Sequence, residues 1–378
     1  MQINRLFLKG FRNYLNLDVD FSRKINVFYG KNAQGKSSIL EAIYYLSLLS
    51  SYRTNIENEL INHNNEEFLV AGRYENIYQN HTCKIKKNKA TRKRQCYLNE
   101  KLLGAKEYIG NFKSVLFSPE DLKIIKGEPA TRRRFINIQI AQNNSYYYSL
   151  LLKNQNILKQ RNKLLKEIRE GRLLASQLIV WNEQYAEINL EIIKIRAEFF
   201  REFLPLVSQI YLQLTGTHER LDCQYLTNCV DLTATNFTVT AQDKASFLEK
   251  LHVNLPLDLK RGSTSLGAHK DDCQFFLNDH DAHKFASQGQ QRTIVLCLKL
   301  AEILYIHQKA GEYPVLLLDD VLSELDEQKK QKLLAFVCEK LQLFITVTEK
   351  ELLPNSLLTN SEVDFFQIQA GRVKRDEL

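Results

Sequence analysis

The chain has 378 residues, 44% of them hydrophobic and 25% charged, with 52 basic and 44 acidic side chains for a net charge of +8. This is the composition of a soluble globular protein with one large or two moderate domains. No run approaches the roughly 18 apolar residues of a membrane span, and the charged opening MQINRLFLKGFRNYL does not read as a signal peptide. Seven scattered cysteines without a C-x-x-C pair support neither a zinc site nor a disulfide framework. The expectation is a cytoplasmic protein with no membrane partner.

In chain order, LNLDVDF alternates and puts Leu15, Leu17, Val19 and Phe21 on one strand face. INVFY reads as a short buried strand that stops at Gly30. From there Gly30, Lys31, Asn32, Ala33, Gln34, Gly35, Lys36 and Ser37 fit G-x-x-x-x-G-K-[ST]. Ile39, Ala42, Ile43 and Leu46 then repeat at helical spacing. A bare turn between a buried strand and a helix suits a phosphate. Glycines take dihedrals closed to other residues, so backbone N–H groups can close around an anion. The helix start adds unpaired N–H groups and a positive dipole end. Lys36 would reach the β- and γ-phosphates, and Ser37 would hold Mg2+.

FLVAGRY and CKIKK…RQCYLN read as further strands, the last two as a hairpin around Lys84 to Arg94. That stretch holds seven basic residues, Lys84, Lys86, Lys87, Lys89, Arg92, Lys93 and Arg94, and no acidic one. Without them the chain carries 45 basic and 44 acidic side chains, so the excess charge is local. Such a patch gains affinity for nucleic-acid phosphate by releasing counterions. The lack of aromatics between its charges favours duplex backbone over stacked single strands. A second candidate is Arg132, Arg133 and Arg134, joined to the first by KQRNKLLK, Lys159 to Lys166. A solvated hairpin tip and internal ion pairs are the plain readings of these two clusters.

SVLF closes the first block, and SPED follows with Ser118 as a cap, Pro119 at the first helical position and Asp121 closing a capping box. The chain is then helical to about Gly216, weakly patterned from 220 to 260, and alternates strand and helix again after about Arg261. In ASQGQQRT, Ser287 can cap a helix from Gln288 to about Lys309, and Gly289 leaves its start uncovered. PVLLLDD is a buried strand ending in two acids: Asp319 would hold Mg2+, and Asp320, one residue further out, would polarise an attacking water. LFITV is the last strand of the pattern, and the terminal KRDEL reads as an exposed charged tail. The expected architecture is α/β: one domain from both chain ends, residues 1–117 and 261–378, with a mainly helical arm of 118–260 inserted.

The phosphate loop, SQGQQ, LLLDD and SELD, in this order around a helical insertion, resemble an ABC-type ATPase head. More narrowly, FRNY, LEAIYYLS, FSPEDL, RRRF, QRNKLLK, SQGQQRT and LLLDDVLSELD together resemble the RecF family of bacterial DNA-repair proteins over nearly the whole length. The resemblance implies a head-to-tail homodimer in which Ser287, Gly289 and Gln290 of one chain meet the ATP held by the other, with Asp326 of SELD also at the nucleotide. It implies that ATP closes this dimer on double-stranded DNA near single-strand/double-strand junctions, that slow, weak DNA-dependent hydrolysis releases it, and that recombination mediator proteins are partners in loading recombinase. The alternative is a nucleotide-gated scaffold with little functional hydrolysis, separated from the first by DNA-dependent turnover. The arm is too short for the coiled coil of a chromosome-structuring SMC protein, and FRNY is foreign to transport heads. The chain departs from the family at Ala268 and Lys270 in GAHKDD, at Asn137 in RRRFIN, and at Glu120, where relatives carry glutamine; no role is assigned to His269, Asn137 or Glu120. Thr348 stands where ABC heads carry histidine.

Overall fold

The computed structural model describes every residue except 92, 218, 232–239 and 377–378. The chain divides into two compact units, residues 1–122 with 295–378, and residues 123–294. In chain order the strands are β1 (Gln2–Phe11), β2 (Tyr14–Asp20), β3 (Ile25–Tyr29), β4 (Glu67–Glu75), β5 (Asn80–Asn88), β6 (Arg94–Leu98), β7 (Lys101–Leu103) and β8 (Ser114–Phe117). They continue as β9 (Leu221–Leu226), β10 (Asp272–Leu277), β11 (His280–Asp281), β12 (Val315–Asp319), β13 (Leu343–Val347), β14 (Val363–Gln369) and β15 (Arg372–Arg375).

The first unit holds two sheets. One is antiparallel, in the order β2-β1-β4-β5-β6-β7, and the other runs β15-β14-β3-β13-β12-β8. In the second sheet β14, β3, β13, β12 and β8 are parallel. INVFY, VLLLD and LFITV have no polar alternation because they are central parallel strands covered on both faces. The helix α1 (Lys36–Leu48) packs against strands of both sheets, and twelve of its thirteen residues are buried. That placement explains why apolar residues surround it instead of forming one stripe. Leu17 and Val19 on β2, and Phe21 just after it, are buried as the alternation requires, but Leu15 is 54% exposed, next to the hairpin turn at Arg12 and Asn13.

The register brings three strand ends together. Asp319 of β12 pairs with Thr346 of β13, and Thr346 with Phe28 of β3. The C-terminal edge of a parallel sheet is where α/β folds bind ligands, and the phosphate loop leaves β3 at this edge.

The second unit contains the helices Pro129–Ala141, Ser145–Arg169 and Ile179–Thr215, the last 37 residues long with Pro205 inside it. The helical insertion ends later than the sequence pattern suggested. CQFFL, expected to return to the first domain, is β10, and it pairs with β9 at residues 221–226 and with β11. A strand joins the sheet that offers it partners, so residues 261–294 belong to the second unit. Two fully buried arginines organise its core. Arg161 pairs with Asp258 at 2.9 Å, and Arg196 with Asp271 at 2.6 Å. Asn137 Oδ1 accepts from Tyr147 Oη (2.7 Å) and Arg196 (3.0 Å), which gives that departure from the family pattern a structural place.

Candidate nucleotide site

The phosphate loop is braced from outside by FRNY. Arg12 donates through Nε (2.8 Å) and Nη2 (2.6 Å) to the fully buried Glu41 of α1. Asn13 Nδ2 donates to the Gln34 carbonyl (3.1 Å), and Tyr14 Oη to the Gly35 carbonyl (3.2 Å). The turn after β14 adds the Ala370 N–H to Gln34 Oε1 (2.6 Å) and the Gly371 N–H to the Gln34 carbonyl (3.2 Å). The Thr348 carbonyl accepts from the Gly30 N–H (3.2 Å).

Two glycines are required by geometry. Gly30 and Gly35 have φ of 144° and 117°. A Cβ on Gly30 would lie 2.4 Å from the Ile368 carbonyl oxygen, and one on Gly35 2.4 Å from Asn13 Nδ2. Lys36 is 8% exposed and its ammonium donates to the carbonyls of Gly30 and Lys31. Burial draws its pKa below the usual lysine range, and the charges of Asp320 and Asp319 partly oppose that.

Asp319, 7% exposed, accepts from Ser37 Oγ (2.8 Å) and Thr346 Oγ1 (2.8 Å) at Oδ1, and from Tyr52 Oη (2.6 Å) at Oδ2. Asp320 lies beyond the strand at φ 55°, with its N–H on Thr346 Oγ1 (2.9 Å). Burial and the neighbouring Asp319 charge raise the Asp320 pKa. The phosphate loop and both acids therefore share one sheet edge. The hydroxyl and carboxylate oxygens of Ser37 and Asp319 are a donor set suited to a hard cation such as Mg2+, and at Gly30 and Gly35 the bracing segments leave no room for a side chain. Sequence reasoning missed Arg12, Asn13, Tyr14, Tyr52 and Thr346. FRNY was visible only as a family string, and nothing in one sequence places Tyr52 or Thr346 beside Asp319.

Asp326 caps the helix Glu327–Val337 by accepting from the Lys329 N–H (2.9 Å), and it pairs with Lys329 Nζ at 2.8 Å. Lys299, buried, pairs with Asp121 (3.1 Å) and Glu302 (3.2 Å). Asp121 also accepts from the Ser118 N–H (2.7 Å), one arm of the expected capping box.

Ser287, Gly289 and Gln290 lie in the second unit. Ser287 Oγ accepts from the Gln290 N–H (3.2 Å) and Gln290 Oε1 from the Ser287 N–H (2.9 Å), a reciprocal cap. Gln290 Nε2 donates to Glu219 (2.8 Å), itself held by Tyr211 Oη (2.9 Å) near the end of the long helix. A Cβ on Gly289 would meet nothing nearer than Ser287 Oγ at 4.0 Å, so the helix start is open as expected.

The basic clusters are less free than their composition suggested. On β5, Lys87 shares the buried face with Cys83 and Ile85, and it pairs with Glu57 at 3.0 Å. Arg94 binds the same Glu57 and the Leu49 carbonyl. Lys84 pairs with Glu100 (3.2 Å) and lies over the Tyr97 ring (5.0 Å), and Lys86 is 3.8 Å from Glu67. Lys89 and Lys93 are exposed at the tip, and Arg92 lies outside the described residues. Arg132 makes a two-pronged contact with Asp272 (2.7 and 2.9 Å), and Arg133 donates to the Asp271 carbonyl (2.7 Å). Arg134 also has a partner. The charged tail is likewise tied down: Asp376 accepts from Tyr29 Oη (2.9 Å) and pairs with Lys350.

Among the described residues no helix is long and apolar enough to cross a membrane. The RecF/RecN/SMC N-terminal domain family matches residues 2–371. The chain is 37% identical over 383 residues to the DNA replication and repair protein RecF of Listeria innocua serovar 6a, covering 99% of this chain and 100% of that protein. It is 38% identical over 376 residues to that of Natranaerobius thermophilus, covering 98% and 97%. A solved structure of the recombination mediator protein RecF-ATP in the RecFOR pathway superposes with a TM-score of 0.91 at 32% identity, covering 99% of this chain and 97% of that one.

Proposed function

The chain belongs to the RecF family, and on that premise we propose that it is an ATP-binding protein of DNA replication and recombinational repair that grips duplex DNA as an ATP-dependent dimer. The observation that carries the reading is the shared sheet edge, where Lys36, Ser37, Asp319 and Asp320 converge around a glycine-built loop. Lys36 and the loop N–H groups would bind the triphosphate. Ser37 and Asp319 would hold Mg2+, which when bound offsets charge on the phosphate oxygens. Asp320, its pKa raised, is suited to take a proton from an attacking water.

Each chain carries one phosphate loop and one open helix start at Gly289. Two chains arranged head to tail would complete two sites, with Ser287, Gly289 and Gln290 contributed in trans and Asp326 near the junction. Hydrolysis by Asp320 would then reopen the dimer. Double-stranded DNA, including its junctions with single strands, and recombination mediator proteins are the partners this reading implies.

The direct test is Lys36→Ala. ATP affinity should fall by at least roughly 10²-fold, since the buried ammonium at the head of α1 is removed, and ATP-dependent retention of duplex DNA should vanish while the far-UV spectrum is unchanged. Unchanged ATP affinity in a titration would refute the nucleotide site.

A further inference from the structure

Asp319 is a buried carboxylate whose hydrogen-bond donors, among the described residues, are three hydroxyls and no cation. A buried charge with only neutral donors is costly to hold. Each donor also has a geometric consequence. Ser37 uses its one proton on Oδ1, which leaves both of its lone pairs available to a cation. Tyr52 uses its proton on Oδ2 at 2.6 Å, and its weaker 3.2 Å contact reaches the Ser37 carbonyl. Its ring stands edge-on to Tyr44, with centroids 5.6 Å apart and planes at 86°, so the phenol cannot swing freely.

Thr346 joins the two acids. Its hydroxyl donates to Asp319 Oδ1 and accepts the Asp320 N–H. Asp320 has φ 55°, a conformation that costs a non-glycine residue energy, and this hydrogen bond helps to hold it. Oδ1 and Oδ2 are thus fixed from separate elements, which holds the plane of the Asp319 carboxylate.

We propose that Tyr52 and Thr346 are positioning residues that set the Asp319 carboxylate for the divalent cation of a bound nucleoside triphosphate. The proposal rests on the nucleotide-site reading above. It adds that cation affinity, as distinct from triphosphate affinity, is governed by two hydroxyls outside the phosphate loop. Outer-shell hydrogen bonds to a metal-ligating carboxylate typically change metal affinity by about 10- to 100-fold.

The test titrates ATP onto the full chain by calorimetry, first in EDTA and then at stepped Mg2+ concentrations. Wild type should bind ATP more tightly as Mg2+ rises. In Tyr52→Phe and in Thr346→Val the affinity in EDTA should stay within about twofold of wild type. The Mg2+ concentration giving half of the tightening should rise roughly tenfold or more. Thr346→Ser, which restores the hydroxyl, should match wild type; a purely structural role would shift the melting temperature and leave the Mg2+ midpoint alone. If Thr346→Val does not fold, Tyr52→Phe decides by itself, since it removes one oxygen and keeps the ring. Wild-type Mg2+ midpoints in the folded variants would overturn the proposal and leave the nucleotide site standing. Failure of the wild-type chain to bind ATP under any condition would overturn both.

Discussion

The phosphate loop and the basic hairpin were both conspicuous strings of sequence, and the structure treats them differently. In the loop, the chemistry lies in the backbone. Gly30 and Gly35 are where they are because a Cβ would strike Ile368 or Asn13, and the strand before and the helix after are set by the same few residues. In the hairpin the chemistry lies in charge, and charge is compensated from elsewhere in the chain. Glu57, Glu67 and Glu100 each answer a basic side chain of the cluster, and Lys87 faces the core. A motif fixed by local geometry can be read from a short window. A charge cluster cannot, because its partners are distant in sequence.

This contrast can be pressed at the loop first. Asp320→Asn should leave ATP and Mg2+ binding intact and reduce steady-state ATP turnover by roughly 10²-fold, the magnitude of removing a general base. The same variant should stay longer on DNA. Turnover within a few-fold of wild type would move the base elsewhere and leave the acid pair with a metal-binding role only.

The hairpin offers the sharper division. Changing Lys86, Lys89 and Lys93 to glutamine should flatten the dependence of duplex affinity on salt, by about 0.9 in log–log slope for each DNA phosphate no longer neutralised and so by no more than about 2.7. Changing Lys87 and Arg94 to glutamine should leave that slope nearly alone and instead lower the melting temperature, because Glu57 is left half-buried without its cations. Fluorescence anisotropy at several salt concentrations separates the two. A slope that falls equally for both sets would mean that the ion pairs open on DNA.

The smallest expected effect lies in the second unit. Burial pushes His269 down to about 4, against a hydrogen bond to the Thr264 carbonyl that favours its protonated form. The fold therefore prefers the neutral ring. This contribution is complete above the unfolded value near 6.5 and is lost as pH falls from there toward 4. Urea midpoints of wild type should drop more between about pH 7 and pH 5 than those of His269→Gln. Parallel curves would show that His269 does not titrate with unfolding.

Much of the fold was legible. INVFY, SVLF and LFITV are strands over the residues the pattern marked, and the helix expected from Gln288 to about Lys309 runs Gln288–Ala310. Period and capping are local signals, so they survive in a single sequence. The boundary expected at Arg261 moved to Ile294 because β10 finds its partner in β9, about fifty residues earlier, and a pairing at that range leaves no trace in either strand's own pattern. The same limit applies at the site. The loop and the two acids could be named in advance, but Thr346 meets Asp319 only through the pairing of β13 with β12, and Tyr52 reaches it from the segment after α1. Lys87 was counted with the DNA-contact candidates, and the structure turns it inward beside Cys83 and Ile85, a placement the period-2 alternation of β5 accounts for.

The central claim is that two chains share their nucleotides, and the mass of the full chain in solution tests it most directly. Light scattering would be run on wild type and Ser287→Arg, each with and without ATP and Mg2+. Wild type should go from monomer to dimer when ATP is added. Ser287→Arg should bind ATP with unchanged affinity and remain monomeric, since its side chain would fill the space at the open helix start where the proposed dimer would place a partner's phosphate. A wild-type chain that binds ATP and keeps a monomer's mass, or a Ser287→Arg chain that dimerises as wild type does, would contradict it.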